Sequence, residues 1–384
     1  MDKHSAFIIV GAGPAGASLA IRLSRSGHKV LLIEKDRFPR EKLCGEFISP
    51  ECFRHFDELG VSERLLARGG DRIVETRFYS RGGRCVSVPT SWFGHGPFAL
   101  SLSRAEMDLE LLTAARRSGA EVVEGARVVS AAVSGERIAS VDIRLGGGER
   151  RSLTGDVFID ATGRGGALTR LACGAERRPS GPNGLVGIKA HLDKVRPEGG
   201  VCEIYFFDGG YGGLSHVEDG KANFCFLVTA KTTRAFIGKT NDLFASVLDQ
   251  NERAGFRMSS AVPVHDWLAV SVTEFGSKSP PAIENLFAVG DAGAFIDPFT
   301  GSGMLMALES SELLASCITG EKMERFEFER SCLFRRRLFI SGVLRRAAFI
   351  PAAASAAIAV AGASSHIRER LARSTRPYRP AVGE

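Results

Sequence analysis

Two periods of apolar and polar positions alternate along the chain. Ala6-Phe-Ile-Ile-Val10 is a short apolar, β-branched run of the kind buried in a parallel sheet. Ala17-Ser-Leu-Ala-Ile-Arg-Leu23 then has helical spacing, and Lys29-Val-Leu-Leu-Ile33 reads again as a buried strand. Residues 35–50 are too irregular for a helix and too polar for a buried strand, so a long loop is predicted. Strand-like runs follow at 73–78 and 85–88. Ser103 is a plausible cap for an amphipathic helix through Ser118. Further strands are expected at 121–124, 126–133, 138–145 and 156–160. Mixed strands fill 184–275, with one helix at roughly 233–251. A last strand, Asn285-Leu-Phe-Ala-Val289, precedes a helix from Met304 to Cys317.

The first strand runs into Gly11-Ala-Gly13-Pro14-Ala15-Gly16, a G-x-G-x-x-G between strand and helix. Gly11 permits the tight turn, Gly13 leaves room for a pyrophosphate, and Gly16 lets the helix pack close to its strand. Glu34 ends the second strand about 20 residues on, where an acid should bond a ribose. Strand, motif, helix and acid together specify a dinucleotide site. The strand-to-glycine pattern recurs at Asp160-Ala-Thr-Gly163 and at Gly290-Asp291-Ala-Gly293. Strands of parallel type at both ends with strand-rich inserts between predict two interleaved domains.

Composition narrows the picture modestly. With 384 residues, 44% hydrophobic and 24% charged, the chain can build one large core or two. Eight cysteines occur singly without C-x-x-C, which disfavours iron–sulfur, zinc and haem attachment, and no metal site is expected. The N-terminus enters the first strand directly, so a cytoplasmic protein with reduced thiols is expected. Net charge is +6, but from Glu321 onward there are 13 Lys and Arg against 6 Asp and Glu. That balance of +7 belongs to the tail and argues against a nucleic-acid footprint on the body. Residues 347–363 are apolar but Ala-rich and too short to span a bilayer. The tail therefore reads as a helical cap on the nucleotide domain or, alternatively, as a basic helix attached peripherally to an anionic membrane.

With these motifs in view, the chain resembles flavoproteins of the geranylgeranyl reductase family, within the group that includes p-hydroxybenzoate-hydroxylase-type monooxygenases and flavin-dependent halogenases. The resemblance covers about residues 5–320. It rests on the N-terminal fingerprint, Asp160-Ala-Thr-Gly163, and Gly290-Asp291-Ala-Gly293 with Asp297-Pro298-Phe-Thr-Gly301. It implies an α/β fold: a Rossmann-like, glutathione-reductase-type FAD-binding domain (1–71, 100–172 and 277–334) interleaved with a β-rich α+β substrate domain (72–99 and 173–276). A basic helical segment, 335–384, follows. It also implies FAD contacts at Gly11, Gly13, Pro14, Ala15, Gly16, Glu34, Lys35, Arg40, Cys44, Gly45, Arg104, Asp160, Gly163, Gly290, Asp291, Pro298, Gly301 and Gly303. Asp160 reads equally as a turn acid at a strand end.

Lys42-Leu-Cys44-Gly45 is similar to the K-x-C-G segment of the reductases, while Phe38-Pro-Arg40 through Gly45-Glu46 also matches the halogenase F-P-R-x-x-x-G-E. Halogenases need a downstream lysine for hypohalous acid, and no lysine occurs between Lys42 and Lys189. The Y-G-W-x-F-P segment of prenyl reductases is reduced here to Tyr211-Gly212 in Gly210–His216, so the prenyl substrate does not carry over with the scaffold. The expected reaction is reduction of a C=C bond in a small apolar organic substrate by hydride from flavin N5. Cys44, Glu46 and Tyr211 are the candidate catalytic groups. Hydroxylation by a monooxygenase is the alternative, with a halogenase or an electron-transfer subunit behind it. A second G-x-G-x-x-G is missing, so NAD(P)H would bind transiently, or an electron-donor protein would serve instead.

Overall fold

The computed structural model describes residues 4–93, 96–175, 184–272 and 274–376, so the end of the basic tail lies outside the described residues. The strand His4–Val10 runs through the middle of a mostly parallel sheet. Val30–Ile33 and then Glu121–Val123 lie on one side of it, Arg150–Asp160 and then Leu286–Ala288 on the other. Val30–Ile33 is buried along its whole length because the sheet is covered on both faces. One face carries the helices Pro14–Arg25, Arg104–Arg117 and Gly303–Thr319 over a core that includes Phe7, Ile9, Leu19 and Leu308. The expected cap of the middle helix is present: Ser103 Oγ accepts from the Glu106 amide at 3.2 Å. The other face packs Ile8, Leu31 and Phe158 against the meander Ala126–Ser134 and Arg137–Leu145. The first half of Arg150–Asp160 pairs antiparallel with that meander, which is why this strand begins earlier than its apolar run predicts.

A second, eight-stranded sheet takes Glu75–Tyr79 and Cys85–Pro89 from the first insert and the rest from 185–272. Its strands alternate cleanly. In Val201–Phe207, Tyr205 and Phe207 pack with Leu243, Phe244 and Met258, while Cys202, Ile204 and Phe206 line a cavity on the opposite face. Where one helix is expected at 233–251, two occur, Ala230–Arg234 and Thr240–Asp249, and a third, Glu252–Met258, begins just beyond. Gly238, at φ +72°, lies between the first two, and Asn251 caps the third by accepting from the Ala254 amide at 3.1 Å.

The tail is helical but does more than cap the nucleotide domain. Phe326–Ala348 lies along Gly303–Thr319, with Phe334 packed on Ala294, Ile296 and Met306. Position 335, drawn as a boundary, falls inside it. After a bend of 112°, the alanine helix Pro351–Ala363 crosses to the second sheet, where Ala354 and Ile358 pack with Val86, Phe206 and Tyr211. The last helix, Ser365–Ser374, follows. The reason is the cavity-facing row of the second sheet, which is apolar and needs a cover. No single helix among the described residues is long and apolar enough to cross a membrane.

Candidate functional site

Register explains why three distant glycine turns meet. Val10 pairs with Asp160, and Asp160 with Ala288, so the turns after these residues sit side by side at the C-terminal ends of neighbouring parallel strands. Gly11 has φ +105°, and a Cβ there would lie 2.3 Å from the Ala161 carbonyl oxygen. A Cβ on Gly16 would lie 1.9 Å from the Gly11 carbonyl oxygen, so the helix rests on its own turn. Gly13 differs: its Cβ would meet only Arg104 Nη2, at 3.7 Å. The backbone is therefore open to a ligand at the N-terminus of Pro14–Arg25, whose first turn carries no acid.

Cations converge on that opening. Arg104 grips the fully buried Asp108 with two bonds, Nε to Oδ1 at 2.9 Å and Nη2 to Oδ2 at 2.7 Å. Arg40 Nη1 lies 3.0 Å from Asp108 Oδ2, and its buried Nε and Nη1 have no hydrogen-bond partner. Burial pushes the Lys42 ammonium below its ordinary value, and the positive charges of Arg40, Lys35 and Arg104 push the same way. Two arginines gathered on one buried carboxylate, with a lysine near them, beside a helix N-terminus that lines the cavity, fit the pyrophosphate of a dinucleotide. Glu34 is buried, accepting from the Ala12 amide at 2.8 Å through Oε2 and from the Asp36 amide at 3.1 Å through Oε1. It lines the cavity at its edge of the cradle and braces the fingerprint turn.

From this cradle one cavity of about 1300 Å³ continues between the second sheet and the tail helices. That exceeds the roughly 300–1,000 Å³ of a small-molecule pocket and leaves room for a dinucleotide and a second molecule. One part of its wall is aromatic: Phe299 meets Phe78, Phe206 and Tyr211 with centroids 5.9, 6.0 and 5.2 Å away. Tyr211 Oη donates to Asp297 Oδ1 at 2.7 Å, and the Phe299 amide donates to the same oxygen at 2.9 Å. Asp297 Oδ2 is buried without a hydrogen bond, with Arg345 Nε 3.8 Å away. Burial raises Asp297, and burial together with the Asp297 charge raises Tyr211 well above its ordinary value. The pair thus holds its proton at the cavity wall. Asp291 also lines the cavity, raised by burial against the pull of Arg164, Arg104, Lys278 and Lys42.

Among the residues expected to touch the cofactor, all but two line this cavity. Gly16 lies behind the turn and serves helix–strand packing. Asp160 is fully buried and turned inward: Oδ1 accepts from the amide and hydroxyl of Thr162 at 3.0 and 2.6 Å, and Oδ2 from the Thr169 amide at 2.8 Å. It is a turn acid, because its own loop consumes both oxygens.

Glu46 is also not free. It is fully buried at φ +56°. Lys189 Nζ donates to its Oε1 at 2.5 Å, the Arg104 amide donates to the same oxygen at 2.9 Å, and His191 Nε2 lies 2.7 Å from Oε2. Lys189 also donates to Glu41 at 2.7 Å. Glu46 is therefore a keystone between the 44–46 loop and the Arg104 helix rather than an acid aimed at substrate. Its amide donates to Cys44 Sγ at 3.3 Å, which fixes the thiol at the wall. Sequence reasoning missed Asp108, although it stands four residues after Arg104 on a helix. It also missed Lys189 and His191, whose one signal is a pair of polar residues two apart in a buried strand.

The comparisons with known proteins agree with this geometry. The FAD binding domain family model matches residues 4–321. A menaquinone reductase of Mycolicibacterium smegmatis is 25% identical over 337 residues, covering 83% of this chain and 77% of its own. Among solved structures, the flavin-dependent brominase Bmp2 superposes with a TM-score of 0.80 at 18% identity, covering 97% of this chain and 93% of its own. A geranylgeranyl bacteriochlorophyll reductase-like protein from Thermoplasma acidophilum gives 0.75 at 18% identity, covering 91% and 88%. At such identity the two structures speak for the fold. A family model running from the first strand to just past the helix Gly303–Thr319, over three glycine turns that meet at one cradle, makes this chain a member of the FAD binding domain family and an FAD-dependent oxidoreductase.

Proposed function

We propose that the protein reduces a C=C bond of an apolar, lipid-like substrate. The observation that carries this reading is the cavity that leads from the cradle between the second sheet and an alanine helix, where Phe78, Val86, Phe206, Ala354 and Ile358 give it an apolar wall, with Thr76, Ser271, Arg368 and Arg376 also in its lining. Bound FAD would supply hydride; the protein supplies position, dryness and a proton. Helices 326–374 cover the space beside Phe206 and Tyr211 and exclude water. Tyr211 lines this space, and its hydroxyl, which at rest donates to Asp297 Oδ1, must rotate off that oxygen to protonate substrate. A relative that carries the name menaquinone reductase supports reduction, and the external electron donor is taken to be NAD(P)H or a donor protein.

Halogenation is disfavoured by the lysines. Lys189 is buried and tied to Glu41 and Glu46, while Lys42 belongs to the cationic group around Arg40 and Arg104. Monooxygenation shares the need for a dry apolar cavity and is separated by experiment. Holoprotein reduced with dithionite under nitrogen and given a panel of isoprenoid lipids and quinones is expected to yield a product heavier by two hydrogens. A product formed only in air and heavier by one oxygen would overturn the reductase reading.

Tyr211→Phe is expected to slow that anaerobic turnover by about 100-fold, in the range of a lost general acid, without changing flavin content. Cys44→Ser is expected to cost less than about tenfold, since Cys44 is positioned by Glu46 and is not part of the Tyr211–Asp297 pair. Single-turnover rates of the two variants check both; equal losses would move the proton from Tyr211.

A further inference from the structure

Exposed apolar side chains concentrate on the tail. Of 14 large hydrophobic residues exposed among the described residues, 8 lie between Phe328 and Leu371, and Phe328 and Phe339 are 70% and 72% exposed. They are patterned. Phe328, Cys332, Arg335, Phe339, Val343 and Arg346 follow one another at steps of three or four, so they share the outer face of Phe326–Ala348. Phe334, Arg337 and Ser341 take the inner face. Ile350 at the bend, Val360 on the alanine helix, and Ile367 and Leu371 on the last helix extend the apolar surface. Arginines accompany it throughout.

We propose that this face docks on an anionic bilayer surface, the helices lying in the interface with their aromatic residues in the acyl boundary and their arginines among the headgroups. One observation favours that occupant: exposed Arg335, Arg336 and Arg346 on Phe326–Ala348 and Arg370 on the last helix border the apolar residues and complement anionic lipid. The inner faces of the same helices line the cavity through Leu344, Ala354, Ile358 and Ala372, and Leu371 both lines it and reaches the surface at 43% exposure. An apolar substrate would therefore pass from lipid into the cavity beside Leu371. That last step rests on the function proposed above; the docking itself does not.

Flotation of the holoprotein with phosphatidylcholine vesicles, with and without phosphatidylglycerol, tests it. Recovery with the anionic vesicles is expected at low salt and should fall about tenfold with Phe339→Asp plus Val343→Asp. High salt should weaken it as well. Retained flavin absorbance reports that the variant is folded. Equal recovery of variant and wild type, flotation with neither vesicle, or a dimer in gel filtration that the substitutions split would each overturn the docking face. Because flotation reads binding without turnover, its failure leaves the reductase reading intact, and a failed lipid assay leaves the docking face intact.

Discussion

Gly13→Val is expected to give a folded protein that has lost its colour, whereas Gly16→Val, three residues along, is expected not to fold. At Gly13 the backbone is extended, with φ −73° and ψ −174°, a conformation open to any residue. The added Cβ meets only Arg104 Nη2 at an ordinary contact of 3.7 Å, so the apoprotein should melt within about 4 °C of wild type. The side chain fills the space through which a pyrophosphate would reach the helix N-terminus. FAD affinity should fall at least about 100-fold, or ~2.7 kcal/mol. At Gly16 the Cβ would sit 1.9 Å from the Gly11 carbonyl oxygen and 3.1 Å from Ala161 Cβ. Overpacking ordinarily costs about 1–3 kcal/mol, and a backbone oxygen at this distance has nowhere to go. FAD titration by fluorescence and thermal unfolding of the stripped proteins separate the outcomes. A Gly13→Val protein that keeps wild-type affinity removes the cradle, and a Gly16→Val protein that melts normally removes the packing account.

What could be read from the sequence divides by how local the determining interaction is. The fingerprint was legible because turn, helix start and acid follow one another within thirty residues, and each step has a stereochemical reason. The α/β class followed from the resemblance that the three glycine motifs carry, and the helical tail from its alanine-rich, basic composition. The break of 233–251 was not legible, because apolar spacing continues across Gly238 and Asn251 while the backbone does not. Asp160 exposes a different limit: a strand-end acid followed by Thr and Gly can serve a ligand or its own turn, and only the positions of the Thr162 and Thr169 donors decide. The alanine helix has almost no contrast between its faces, so nothing local says which sheet it covers. Glu46 and Lys189 are 143 residues apart, and no spacing rule joins a loop acid to a strand lysine across that distance.

That last pair carries the other large effect. Lys189→Met is expected to destabilise the protein by about 3 kcal/mol at neutral pH, the low end of the cost of removing one partner of a buried ion pair, because His191 and the Arg104 amide stay on Glu46. Lys189 is 1% exposed and Glu46 0%, so water cannot replace the lost ammonium. The loss should reach the cofactor, because Glu46 also accepts from the Arg104 amide and its own carbonyl from the Leu102 amide at 3.2 Å. FAD affinity is therefore expected to drop along with stability. Acid should narrow the difference. Burial pushes Glu41 up, but the hydrogen bond and charge of Lys189, with His191 and His265, hold it below the ordinary carboxylate range. A carboxylate depressed in the folded state adds stability above its unfolded pKa and loses it as pH falls through the lower, folded value. The variant lacks the Lys189 part of that contribution, so its deficit should shrink as pH falls below about 4. Adding Glu46→Gln to Lys189→Met removes the stranded charge and should recover most of the loss, giving a double-mutant cycle with strong coupling. Urea unfolding across pH measures all three chains. A Lys189→Met protein as stable as wild type at neutral pH, or one whose deficit the second substitution deepens, would show that His191 and the Arg104 amide hold Glu46 without Lys189.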